Sequence, residues 1–208
     1  MFLAISAVVA LLAGCGGSTS RSGASDRFQF TDATTKGEVI AAEQRRPPGV
    51  VTGPLLDGSG AYTLSSDLGK VVVINLWGSW CGPCQVETPR FQQVYEQVRD
   101  QGVNFVGFAV KENGESGPRT FVRDKAITYP IVYDPPAKVA LQLGRIPVSG
   151  IPLTVLIDTQ GRVGAVYIGL VQPSQLKPAI AALLGEIEPP VTPPTNPTAS
   201  TPSPAATR

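Results

Sequence analysis

The apolar, β-branched run Val71–Trp77 leads almost directly into Trp80-Cys81-Gly82-Pro83-Cys84, and this junction constrains the chain more than any other feature. A continuous apolar run of that length is the pattern of a strand buried on both faces. The residues beyond Trp77 predict a sharp turn and a helix that opens on the Cys-x-x-Cys. The first N–H groups of a helix have no partner within it and stabilise negative charge, so a thiolate is favoured at Cys81. Cys84 lies one turn on, on the same face and within bridging distance. The pair can open and close a disulfide with little backbone movement, as thiol–disulfide exchange requires.

The chain has 208 residues, three cysteines and no histidine. Without histidine there is no Cys–His or Ser–His nucleophile pair, no histidine zinc site and no Cys-x-x-Cys-His haem attachment. Three cysteines cannot build a four-cysteine zinc site within one chain. A purely structural bridge across so small a loop would constrain the unfolded chain little, which leaves redox exchange as the reading for the pair. Neither a metal nor another cofactor is expected. A net charge of +1 gives no electrostatic preference for nucleic acid.

Cys15 stands apart, at the end of residues 2–13, an apolar stretch broken by one serine. That stretch is short for a membrane span and fits the apolar region of a signal peptide. Leu12-Ala13-Gly14-Cys15 resembles the lipobox of bacterial lipoproteins, although no Lys or Arg precedes the apolar run. The resemblance implies that residues 1–14 are removed and that Cys15 is lipidated, anchoring the protein outside the cytoplasm on the outer face of the cell membrane. Residues 15–48 are then the lipidated cysteine, a Gly/Ser-rich tether and an extension lying against the domain as an added strand. The folded domain is expected over residues 49–188. Residues 189–208, rich in Pro, Thr, Ser and Ala, cannot bury enough apolar surface to offset ordering entropy and are expected to be disordered.

Within the domain the periodicity predicts a short strand at 61–64, the buried strand Val71–Trp77, and a long helix over 81–102. Val86, Phe91, Val94, Tyr95 and Val98 mark its buried face, and Pro89 should kink or restart it. A second buried strand comes next at Val103–Val110, then a polar loop at 112–118, a helix at 119–125, a strand at 129–133 and a short helix at 137–143. Residues 153–158 and 163–168 form a hairpin by their turn chemistry, and a helix over 173–184 closes the domain.

This order, together with the motifs, resembles the thioredoxin superfamily. Trp77-Gly78-Ser79-Trp80-Cys81-Gly82-Pro83-Cys84 is similar to its active-site segment, and Gly150-Ile151-Pro152 before a strand is similar to its cis-proline loop. Glu87-Thr88-Pro89 and the insertion around residues 111–136 resemble the extracytoplasmic TlpA/ResA/DsbE branch. The segment before Gly49 and Tyr133-Asp134-Pro135-Pro136 are similar to actinobacterial ResA-like lipoproteins. The implied fold class is α/β: a thioredoxin-like fold with a central mixed sheet flanked by helices, an N-terminal strand extension and a central insertion.

The resemblance implies Cys81 as attacking and Cys84 as resolving cysteine. Trp80, Gly82, Pro83, Ile151 and Pro152 would form the client-binding surface, with a cis bond exposing the Ile151 backbone to an extended peptide. Trp77 is expected in the core. Thioredoxins have a buried aspartate where this chain has Asn75, and asparagine does not titrate in this range. Glu87, one turn beyond Cys84, is the candidate replacement as proton acceptor; the alternative is a solvated helix carboxylate.

The activity implied is an extracytoplasmic thiol–disulfide oxidoreductase. The leading expectation is a reductase acting on client proteins such as apocytochrome c during cytochrome c maturation, re-reduced by a membrane thiol donor of the transmembrane reductase type. A disulfide-forming oxidase and a non-catalytic apocytochrome or haem-delivery module stay open as alternatives. A tethered monomer is the simplest state.

Overall fold

A computed structural model of the chain describes residues 27–28, 37–144 and 150–185. A small antiparallel pair, β1 (Thr52–Pro54) and β2 (Ala61–Thr63), precedes the main sheet. The apolar run becomes β3 (Val71–Trp77), buried at every residue. Next along the chain come α1 (Gly82–Val98), β4 (Val103–Val110), α2 (Ser116–Asp124), β5 (Ile131–Asp134), β6 (Leu153–Ile157), β7 (Val163–Ile168) and α3 (Pro173–Gly185). The main sheet has the order β5-β4-β3-β6-β7, parallel through β5-β4-β3 and antiparallel through β3-β6-β7. β3 is its central strand, which explains why its sequence does not alternate.

Alternate residues of β3 feed two cores. Val71, Val73 and Trp77 join Phe91 and Val94 of α1, Phe121 of α2 and Leu176, Ile180 and Leu183 of α3 on one face. Val72, Ile74 and Leu76 join Phe108, Ala140, Leu143, Val155 and Val166 on the other. The second face is covered by β1–β2, by Phe28 of the N-terminal segment and by a 3-10 turn at Ala140–Leu143. This is the mixed α/β sheet expected from the sequence.

Several boundaries differ from the sequence reading. α1 ends at Val98 and passes into a 3-10 turn, Arg99–Gln101, closed by Gly102 at φ +77°. The helix runs through Pro89 without restarting, losing only the bond that a residue-89 N–H would have made to the Gln85 carbonyl. α2 begins at Ser116, inside the stretch read as loop, because Pro118 falls in the first turn, where its missing N–H has no intrahelical partner to lose. The helix expected at 137–143 is the 3-10 turn, held because the buried Asp134 carboxylate accepts the Lys138 and Ala140 N–H groups, each at 2.9 Å.

Of the N-terminal extension read over residues 15–48, only 27–28 and 37–48 are among the described residues, and the rest of that expectation lies outside them. Residues 37–48 contain no strand. Gly37 and Ile40 donate to the Val166 and Gly164 carbonyls of β7, at 3.1 and 2.8 Å. Those donors are three residues apart, whereas a regular ladder uses alternate residues along one edge, so the segment tracks β7 without pairing as a strand. It is anchored instead by Arg45, buried, whose guanidinium lies 3.3 Å from the equally buried Asp158 carboxylate.

Candidate active site

Cys81 is the N-cap of α1, and Pro83 sits in its first turn. The Cys84 N–H donates to Cys81 Sγ at 3.3 Å, so the sulfur occupies the place of a capping oxygen. Cys81 and Cys84 form a disulfide with Cα atoms 5.2 Å apart. Cys84 is fully buried and Cys81 is 5% exposed, while Gly82 and Pro83 between them are exposed. Among the pair, only Cys81 presents surface to a client.

The Ile151–Pro152 peptide is cis, at the position the sequence reading assigned to it. It places the Ile151 carbonyl oxygen 3.8 Å from Cys81 Sγ, across a sequence separation of 70 residues. The Pro152 carbonyl accepts the Gly169 N–H at 2.9 Å, which ties this loop to the end of β7. Trp80 is 56% exposed beside Cys81, and its indole N–H donates to the Lys111 carbonyl at 2.8 Å. The ring lies over Gly78: a Cβ there would come within 2.9 Å of the indole nitrogen and 3.2 Å of the Ile151 side chain. Trp77 is buried and packs on Phe121, with ring centroids 4.8 Å apart.

Glu87 is fully buried, which removes the solvated alternative. Asn75 Nδ2 donates to its Oε2 at 2.8 Å, and the Val171 N–H donates to its Oε1 at 2.6 Å. Asn75 Nδ2 also donates to Thr154 Oγ1 at 3.1 Å. Burial pushes the Glu87 carboxyl up to about 7, and these two hydrogen bonds keep it from rising further. The buried Tyr129 hydroxyl is pushed up as well, by burial first and by the Glu87 charge second. A carboxyl near neutrality one turn from Cys84 has the proton affinity that acid–base work at that sulfur needs.

The structure therefore brings Trp80, Cys81, Gly82, Pro83, Cys84, Ile151 and Pro152 together at one end of the sheet, with Glu87 buried one turn along α1 from Cys84. Cys15 lies outside the described residues. Sequence reasoning missed four contributors. Thr154 is the one polar side chain in β6, a signal that was readable. Val171 acts through its backbone and leaves no side-chain trace. Glu112, which accepts the Ser79 N–H and hydroxyl, looked like an ordinary loop carboxylate. Asn75 was noticed as a departure, but not as the partner of Glu87. An open groove of about 490 Å³ runs beside the site, lined by Ser79 and Gln85 on one bank and Ser116 and Thr120 on the other.

With this geometry established, comparison with known proteins is direct. The AhpC/TSA family model matches residues 51–166. The thiol-disulfide oxidoreductase ResA of Bacillus subtilis is 34% identical over 123 residues, covering 59% of this chain and 66% of the relative. ResA of Geobacillus kaustophilus is 33% identical over 140 residues, covering 67% and 76%. The matches span just under two thirds of the length of the B. subtilis and B. cereus proteins. Among solved structures, a DsbF homologue from Corynebacterium diphtheriae is 35% identical with a TM-score of 0.70, covering 75% of this chain and 99% of that one. A secreted thiol-disulfide isomerase from Corynebacterium glutamicum is 29% identical with a TM-score of 0.72, covering 76% and 98%.

Proposed function

The chain belongs to the AhpC/TSA family, among its thioredoxin-like TlpA/ResA/DsbE-like members, and on that premise we propose that it is an extracytoplasmic thiol–disulfide oxidoreductase that reduces disulfides of client proteins. The observation that supports this most directly is the Cys81–Cys84 bridge at the N-terminus of α1, with Cys81 slightly exposed and Cys84 fully buried. The ResA relatives carry the same activity in their name, and the C. glutamicum neighbour is described as secreted.

In the reduced protein the Cys81 thiolate is stabilised by the helix N-terminus and the Cys84 N–H. A helix N-terminus holds such a thiol below its ordinary range, which raises the thiolate fraction at neutral pH. It attacks a client disulfide, forming a mixed disulfide and releasing the client's other sulfur as thiolate. Glu87 takes the proton of the Cys84 thiol, and the Cys84 thiolate attacks Cys81. The Cys81–Cys84 bond forms, the bond to the client breaks, and the client's second sulfur leaves with the electron pair and takes a proton from water. The client gains two electrons and the protein loses two. Trp80, Pro83, Ile151 and Pro152 line the surface on which an extended client segment would lie, with the Ile151 backbone beside the attacking sulfur.

The reducing direction is favoured by Gly82-Pro83, the dipeptide of thioredoxin, whose potential lies near about −270 mV. Apocytochrome c, with its paired haem-binding cysteines, is the client class proposed, and a membrane thiol donor would restore the dithiol. Lipidation at Cys15 would hold the domain near both, raising effective concentration without new contacts.

The test is redox titration of the full chain, together with a Cys84→Ser variant expressed in its host. A potential near about −270 mV and trapping of client proteins on Cys81 are expected. A potential near about −120 mV would overturn the reducing direction in favour of disulfide formation. A Cys84→Ala variant that kept full cellular function would overturn exchange altogether in favour of a binding module.

A further inference from the structure

We propose that Asn75 is the positioning residue for proton transfer at Glu87, and that its side-chain amide turns end for end as Glu87 changes between carboxylate and carboxylic acid. The proposal rests on the reading of Cys81 and Cys84 as an exchanging pair with Glu87 as its proton acceptor.

In the observed arrangement both oxygens of Glu87 receive hydrogen bonds, from Asn75 Nδ2 and from the Val171 N–H. That suits a carboxylate, which only accepts. A carboxylic acid must also donate, and a buried O–H without an acceptor costs about 1–3 kcal/mol. Two groups around Glu87 can change roles. The Asn75 amide carries donors at one end and an acceptor at the other, and the Thr154 hydroxyl both donates and accepts. Turning Asn75 by half a rotation puts Oδ1 where Nδ2 stands. It then accepts from the Glu87 O–H and from the Thr154 O–H, while the Val171 bond is kept.

The other end of the amide explains why the turn is accessible. Among the described residues, Asn75 Oδ1 is buried without a hydrogen-bond partner. A third group bonded there would lock the amide in one orientation. With no protein group among the described residues holding Oδ1, either orientation leaves the same end of the side chain without a protein partner, and the choice is set by Glu87.

The neighbours of Glu87 do not duplicate this response. β3, β6 and the loop before α3 present Asn75, Thr154 and the Val171 amide, all uncharged. The segment before β5 presents Tyr129, whose hydroxyl is buried and unpartnered and stays protonated near neutrality. α1 contributes Cys84, the proton source itself.

The test is NMR of the full-length oxidised protein, tracking the Glu87 carboxyl carbon and the Asn75 side-chain amide between pH 5 and 9. The Asn75 amide resonances are expected to shift with the same midpoint as Glu87. In Glu87→Gln, whose amide must donate toward Asn75 while its oxygen keeps the Val171 bond, Asn75 is expected in the turned orientation with no titration. In Asn75→Leu both forms of Glu87 lose a hydrogen bond, the charge-assisted one being the stronger, so the Glu87 midpoint is expected to rise. Asn75 resonances indifferent to the Glu87 titration would overturn the proposal, as would an Asn75 amide that keeps its parental orientation in a folded Glu87→Gln variant. Dithiothreitol cycling of Cys81–Cys84 on the same samples separates the two readings. Failed cycling overturns the exchange function and, with it, the role of the turn, whereas intact cycling with an indifferent Asn75 overturns the turn alone.

Discussion

Ser79 and Glu112, 33 residues apart in sequence, are joined twice: the Glu112 carboxylate accepts the Ser79 N–H at 2.5 Å and its hydroxyl at 2.8 Å. The next residue is held from the same loop, Trp80 donating to the Lys111 carbonyl. The loop after β4 thus fixes both residues that precede the attacking cysteine. Glu112→Ala is expected to cost about 1–3 kcal/mol in urea unfolding, the usual consequence of stripping an ionised acceptor from a partly buried donor pair. It should also change the fluorescence of the exposed Trp80. Glu112→Gln, which keeps one acceptor oxygen, should lose less on both measures.

Glu87 makes stability depend on pH. Its carboxyl stands at about 7 in the folded chain against 4.5 ordinarily. The folded state therefore binds this proton more tightly than the unfolded state. Its contribution is fully present below about pH 4.5 and is lost as pH rises to about 7, a total of about 3 kcal/mol by linkage. Glu87→Gln should remove that loss: relative to the parent, the variant gains stability between pH 5 and pH 8, while its disulfide exchange slows. Urea unfolding of both proteins at four pH values across this range checks it; a constant difference would show that Glu87 does not titrate there.

Gly107 lies on β4 under the Trp77 indole. A Cβ at this position would meet Trp77 Nε1 at 2.7 Å and the tip of Ile131 at 2.6 Å. Ile131 can change rotamer, but the fully buried indole, packed at a tilt against Phe121, cannot move without disturbing the core. Gly107→Ala is expected to destabilise by about 1–3 kcal/mol through overpacking. Thermal unfolding reads the effect, and an unchanged melting point would refute it.

Asp158, in the β6–β7 turn, faces two cations, Arg45 at 3.3 Å and Arg162 at 2.8 Å, and accepts the Gln160 and Arg162 N–H groups. Asp158→Ala would remove one carboxylate from the buried Arg45 guanidinium and the side-chain acceptors of the β6–β7 turn, and is expected to lower the urea midpoint. Because Arg45 anchors the N-terminal segment to the sheet, the amides of Gly37 and Ile40 should exchange hydrogen faster in this variant, while Cys81–Cys84 cycling is kept.

The strongly patterned parts of the fold were legible in advance. β3 announced itself by seven consecutive apolar or β-branched positions broken only by Asn75, and the β6–β7 hairpin by its Gly161-containing turn. Elements whose limits depend on side chains from elsewhere were not. The turn at Ala140–Leu143 took its form from Asp134, and residues 37–48 tracked β7 without becoming a strand because their contacts to that edge are irregular.

The sequence by itself determined the reactive pair, its place at a helix start and the proline loop. Each is a matter of short spacing, and the periods of helix and strand convert spacing into position. Only the tertiary structure decided that Glu87 is buried and what holds it. Its partners Asn75 and Val171 are 12 and 84 residues away, and the Thr154 hydroxyl behind Asn75 is 79 residues from it. Hydrogen bonds across such separations obey no period, and the proton affinity of Glu87 exists only once packing has excluded water from around it.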